Sequence, residues 1–259
     1  MPFGRPESEQ KLSYGGYLRV GDLTALQELR SDPPQHDETL FIIIHQVYEL
    51  WFKQILHELD DVNRRLDGDD VLGSTRLLRR CIEIQRLLVA QVSVLETMTP
   101  VDFLAFRDHL MPASGFQSAQ FREVEFLSGL KEPKFLEQYP PGTPEHGRLS
   151  QRLEGHTVRD AFHALLGRRG HTADAEGIAR LYRESERTMD LFLLAEALIE
   201  YDEMFTLWRV RHVQMVERII GGRPGTGGSD GASYLRGTVG RRMFPELWEA
   251  RNIIGATGA

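Results

Sequence analysis

HDETLFIIIHQVYELWFKQILHELD, residues 36–60, decides the fold. Its apolar positions Phe41, Ile44, Tyr48, Trp51, Phe52, Ile55 and Leu59 recur three and four apart, the period of a helix with one buried face. Asp37 is placed to cap that helix. The stretch also seats His45 four residues after Phe41, on the adjacent turn of the same stripe. An imidazole among Phe, Ile, Tyr and Trp must find a hydrogen-bond partner, a ligand or a metal. The residues alone leave two readings of His45: a core histidine bonded to a backbone carbonyl, or one that faces a ligand.

Upstream, residues 1–13 read as a flexible arm. Tyr14-Gly15-Gly16-Tyr17-Leu18 follows, then a short helix expected over Val20–Arg30, and Pro33-Pro34 ends it before the long helix. Downstream, Gly68 and Gly73 separate off a second helix over Arg76–Met98. Pro100 starts a third through Leu110, Pro112 stops it, and Gly115–Leu127 is again helical in pattern. Prolines at 133, 140, 141 and 144 make 131–170 a loop-rich excursion, with one short helix near Val158–Leu166. Ile178–Ile220 holds neither Gly nor Pro, which predicts two consecutive helices or one very long one. No segment alternates apolar and polar positions with β-branched residues as a strand does, and no repeat or sustained heptad appears. The expectation is an all-α chain, 1–259 forming a single helical domain.

The 259 residues suffice for a large core. A formal net charge of -7 argues against nucleic acid, whose phosphates demand clustered Lys and Arg. Cys81 is the only cysteine, which excludes an internal disulfide framework, a zinc ribbon and C-x-x-C-H haem attachment. MPFGRPESEQ has no apolar core, and charges flank FIII too closely for a membrane span. A cytoplasmic protein with no membrane partner is expected.

Nine histidines invite a search for metal sites, and the usual spacings fail. His57-Glu58 lacks the second His of H-E-x-x-H, and no Glu stands three before any His, although Asp160 precedes His163 by three. No Gly-x-Ser-x-Gly elbow is present. GTGGSDG at 225–231 lacks the lysine of a phosphate loop, so it is either a surface linker or a lid hinged around Thr226. Phe205, Trp208, His212 and Met215 or Val216 form a helical apolar stripe. One imidazole so placed is either a core histidine or the proximal ligand of a five-coordinate haem, whose porphyrin supplies the other four nitrogens. Arg107, one turn after Phe103, either packs its stem at the surface or clamps a carboxylate.

Several long motifs in order carry a resemblance: YGGYL (14–18), the 36–60 stretch, FRDHLMPASGFQSAQFR (106–122), RHVQMVERIIGGRPGTGGSDGASYLRGT (211–238) and FPELWEAR (244–251). Together they resemble the tryptophan 2,3-dioxygenase family, haem enzymes that open the indole ring of tryptophan; Lys131 to about Arg180 adds little to the likeness. The resemblance implies one haem b per subunit, its iron axially ligated by His212. It implies L-tryptophan and O2 as substrates, with Phe41 and His45 as the aromatic-plus-base pair. Arg107 falls on the carboxylate clamp and Thr226 on the ammonium site. Tyr14 and Tyr17 fall on tyrosines that reach into a neighbouring subunit's site, which implies a homotetramer with shared pockets, working in tryptophan catabolism through the kynurenine pathway.

Two positions depart from the family pattern. Phe103 stands where many bacterial members have tyrosine, so one hydroxyl near the substrate carboxylate is absent; Val47 stands where Thr is frequent. The residues leave open a haem enzyme of the same kind that inserts one oxygen into tryptophan or a methylated tryptophan to give an oxindole. A third reading is a helical interaction protein whose histidines are all core residues.

Overall fold

The structure, a computed structural model, describes residues 12–227 and 231–255. The expected arm lies almost wholly outside the described residues. In chain order the helices are α1 (Tyr14–Leu18), α2 (Val20–Leu23), α3 (His36–Asp67), α4 (Val71–Leu95), α5 (Pro100–Arg107), α6 (Ala119–Ser128), α7 (Pro144–Glu154), α8 (Val158–Arg168), α9 (Ala175–Arg183), α10 (Met189–Ile220), α11 (Ala232–Arg236) and α12 (Pro245–Ile253). Among the described residues there is no strand, and no single helix is long and apolar enough to cross a membrane.

The apolar period of 36–60 is realised in α3, whose Ile44, Phe52, Ile55, Leu56, Leu59, Val62 and Leu66 are buried. Its start is fixed differently from the expected cap. Asp37 lies inside the first turn, bonded to His36, and no side chain caps the helix. The anchor is buried Glu38, whose carboxylate accepts from the backbone N–H of Arg30 and Ser31 and from the Ser31 hydroxyl. Those bonds explain why no helix runs from Thr24 to Arg30, where one was expected. The backbone there is spent on α3, with Leu26 also accepting from Gln46.

Capping residues account for the other shifts in boundary. Asp70 caps α4 by accepting from Gly73 N at 3.0 Å, so the helix begins five residues before the expected Arg76. A Cβ at Gly73 would lie 2.2 Å from the Asp70 carboxylate, which makes glycine a requirement of the cap rather than a spacer. Ser118 caps α6 and splits the expected 115–127 helix into a short 3₁₀ turn and α6. Pro144 was read as a loop marker. It sits instead in the first turn of α7, behind the Thr143 cap, where its missing N–H costs nothing. The 131–170 stretch therefore carries two helices and a 3₁₀ turn, more ordered structure than its prolines suggested. The Gly- and Pro-free run resolves into α9 and α10.

α3, α4 and α10 pack side by side, and the main core lies between them, closed by α8, α9 and α12. A second cluster gathers Ile44, Val92, Leu95, Met98, Phe103, Phe106 and Ile219 from the N-terminal half of α3, the end of α4, α5 and the end of α10. A third joins α6 and α7 around Phe126 and Phe135. Buried Asp202 of α10 holds the C-terminal segment, accepting from the N–H groups of Met243 and Phe244 and from Trp248 Nε1. The two backbone donors would otherwise be buried without a partner, at about 1–3 kcal/mol each. This clamp fixes the half of α10 that leads to His212.

Candidate active site

One cavity collects residues from α3, α4, α5, α6, α10, α11 and the 224–226 loop. Phe41, His45, Phe103, Arg107, His212 and Thr226, far apart in the chain, all line it. Tyr14 and Tyr17 do not. They stand 79% and 70% exposed on α1, away from this chain's own cavity.

His45 Nδ1 lies 2.7 Å from the Phe41 carbonyl. A carbonyl only accepts, so Nδ1 carries the proton, and neutral His45 keeps a lone pair on Nε2. Burial lowers its pKa, opposed by the carbonyl bond and by the Glu49 charge. Phe41 lies against the imidazole, centroids 4.1 Å apart and planes tilted by 38°, and joins Phe103 and Phe106 in an aromatic wall with centroids 5.4–5.7 Å apart.

His212 comes from α10, its ring stacked on Trp208 at 5.0 Å and 24°. Burial brings its pKa down from 6.5 to about 4, helped by the charge His45 would carry. Whereas His45 spends one nitrogen on its own helix, no hydrogen bond engages the His212 ring among the described residues. A neutral imidazole in an apolar cavity is a good metal ligand but a poor sole one. No group of three His, Cys, Asp or Glu able to hold a bare ion exists among the described residues. The donor set fits haem, which brings its own four nitrogens.

Arg107 ends α5 and donates from Nη2 to the Pro224 carbonyl at 2.6 Å, while its Nε is buried without a partner among the described residues. Thr226 donates its hydroxyl to the Ala113 carbonyl at 2.6 Å, which leaves the oxygen lone pairs free. The loop is thus tied to the α5–α6 connection at two points. Close packing reinforces both ties, since a Cβ on Gly227 would meet Ser114 Cβ at 2.6 Å. The expected lid extends past Gly227 into residues outside the described set.

The sequence reading did not single out Glu49, Arg122, Glu125 and Arg209, which also line the cavity. Two carried a usable signal: Glu49 lies one turn beyond His45, and Arg209 one turn before His212. Arg122 and Glu125 become visible only once α6 is folded.

The family model for tryptophan 2,3-dioxygenase matches residues 4–146 and 156–254. The chain is 48% identical over 256 residues to a tryptophan 2,3-dioxygenase of Nocardioides sp., covering 95% of this chain and 96% of that one. It is 45% identical over 260 residues to one from Herpetosiphon aurantiacus, covering 93% and 98%. The chain belongs to the tryptophan 2,3-dioxygenase family. A third relative, the tryptophan 2,3-dioxygenase of Anaeromyxobacter sp. strain K, is 41% identical over 257 residues, covering 94% and 96%. The internal stretch that the tryptophan 2,3-dioxygenase model leaves out, 147–155, falls within and just after α7, and none of its residues lines the cavity. The proline-rich segment before it is part of the tryptophan 2,3-dioxygenase match, a wider likeness than the motifs alone gave.

Proposed function

We propose that this chain is a haem-dependent dioxygenase that converts L-tryptophan and O2 into N-formylkynurenine. The observation that carries the reading is the convergence of His45, Arg107, Thr226 and His212 on one aromatic-walled cavity in a chain of this family. Relatives named for two-atom insertion favour dioxygenation over the oxindole alternative. The cavity favours an enzyme over an interaction protein.

His212 would hold the haem iron, one haem per subunit; when bound, the haem would supply the iron at which dioxygen is activated. Tryptophan arrives as a zwitterion, and an apolar cavity must meet each charge with a fixed partner. Arg107 takes the carboxylate through Nε, which has no other partner among the described residues, and the remaining hydrogen of Nη2. Thr226 accepts from the ammonium, its own proton already committed to Ala113. His45 Nε2 accepts from the indole N–H, and that bond orients the C2=C3 bond of the ring. Phe41, Phe103 and Phe106 keep water out. The subunits assemble as a homotetramer in the cytoplasm, with Tyr14 and Tyr17 completing a neighbour's pocket, a role in keeping with their exposure here.

Loaded with ferrous haem, the protein should turn over L-tryptophan on addition of oxygen, with the absorbance of N-formylkynurenine. A haem-loaded protein that leaves tryptophan unchanged would overturn the reading. The pH profile follows from His45. Its pKa lies below 6.5, so the acceptor lone pair is present throughout the neutral range. For the same reason its contribution to stability is complete above pH 6.5 and declines as pH falls. KM for tryptophan should stay level from pH 8 to 6.5 and rise only below that; a rise centred above 6.5 would remove His45 from the role.

A further inference from the structure

Four charged side chains on the cavity wall take no part in holding tryptophan: Glu49, Arg122, Glu125 and Arg209. Arg122, Glu125 and Arg209 are 4%, 2% and 3% exposed, so each charge must be met inside the protein. Glu125 is the hub. Its Oε2 accepts from Arg122 Nη1 at 2.5 Å and its Oε1 from Arg209 Nη2 at 2.9 Å. Arg209 spends Nη1 on the Arg241 carbonyl at 3.0 Å. Glu49 is engaged by the Gln120 amide at 2.8 Å and forms no ion pair with Arg122.

Arg122 is left incomplete. Its guanidinium plane is fixed by the Phe135 ring, 3.8 Å away. Yet Nε is buried without a hydrogen bond, and among the described residues no acceptor engages Nη2. Nε and Nη2 share one edge of the guanidinium, the edge that grips a carboxylate with two parallel bonds. A purely structural ion pair has no use for a buried Nε left idle beside a free Nη2. The Tyr139 hydroxyl, near enough to feel the Arg122 charge, is also buried without a partner.

We propose that the free edge of Arg122 seats a carboxylate of the prosthetic group, with Glu125 and Arg209 holding the guanidinium in place. The inference rests on the haem reading above. Two carboxylate sources enter this cavity, the haem propionates and tryptophan. Tryptophan carries one carboxylate and Arg107 already meets it, so the propionate is the one assigned to Arg122.

The test compares haem with haem dimethyl ester, whose carboxylates are blocked, in the wild-type chain and in Arg122→Met. The readout is the rate of haem loss to excess apomyoglobin, with the melting temperature of each haem-free protein as control. Wild type should lose the ester about tenfold faster or more, as a charge-assisted bond implies. In Arg122→Met that ratio should shrink at least threefold; because it compares haem with its ester in the same protein, the stability lost by leaving Glu125 Oε2 without Arg122 cancels from it. Arg122→Lys keeps the charge but not the fork, and should show the same shrinkage if the methionine variant does not fold. An undiminished ratio overturns the assignment, as does a lower melting point of the haem-free variant with haem loss unchanged. A raised KM for tryptophan with an unchanged ratio gives the edge to the substrate instead. If the wild-type chain takes up no haem at all, the haem reading falls and this inference with it; an undiminished ratio defeats the inference alone.

Discussion

Replacing His212 with alanine should strip the protein of haem. The ring carries no competing hydrogen bond among the described residues, burial holds it neutral, and the other histidine lining the cavity, His45, has its Nδ1 spent on the Phe41 carbonyl. Changing a residue that merely supports a ligand costs 10–100-fold in affinity, so loss of the ligand itself should cost about 100-fold or more. Added imidazole should partly restore the Soret band, because the vacated space admits the missing ring. Helical content should not change, since the buried residues that pack α10 are elsewhere along the helix. A variant with the ordinary spectrum of a five-coordinate, histidine-ligated haem would show that the ligand is a different residue.

The second large effect is expected at Arg107. Arg107→Lys keeps the charge but cannot reproduce two bonds to a planar carboxylate, nor the tether to Pro224. A charge-assisted hydrogen bond is worth roughly 1.5–3 kcal/mol, so KM for L-tryptophan should rise about tenfold or more with haem content unchanged. Tryptamine lacks the carboxylate and should be handled equally poorly by both proteins. Should KM for tryptophan stay put, Arg107 is only a packed arginine tethering the loop.

The long helices were legible in the sequence because burial dictates their period. α3 and α10 bury faces whose spacing no other secondary structure satisfies. Their ends were less legible, since caps depend on partners several residues off or in another segment. Glu38 reaching back to Ser31, and Gly73 tucked under Asp70, look like an ordinary acid and a breaker until the chain is folded. Pro144 misled for a related reason: the same ring breaks a helix from inside and starts one at its first turn.

At the site, each predicted residue except the two tyrosines reached the same cavity, yet composition and spacing alone left every one of them with an ordinary structural alternative. The order of the motifs tipped the balance. What neither spacing nor motif could supply was the state of each group. That His45 presents Nε2, that the Thr226 proton is already given to Ala113, and that Arg122 keeps one edge idle are facts of folded geometry.

The central claim is that both atoms of one dioxygen enter the indole ring. It is tested most directly by running a single turnover of L-tryptophan in ¹⁸O₂ with the ferrous haem-loaded protein and weighing the product. The account predicts N-formylkynurenine carrying two labelled oxygen atoms. A product with one labelled atom and an intact ring would contradict it.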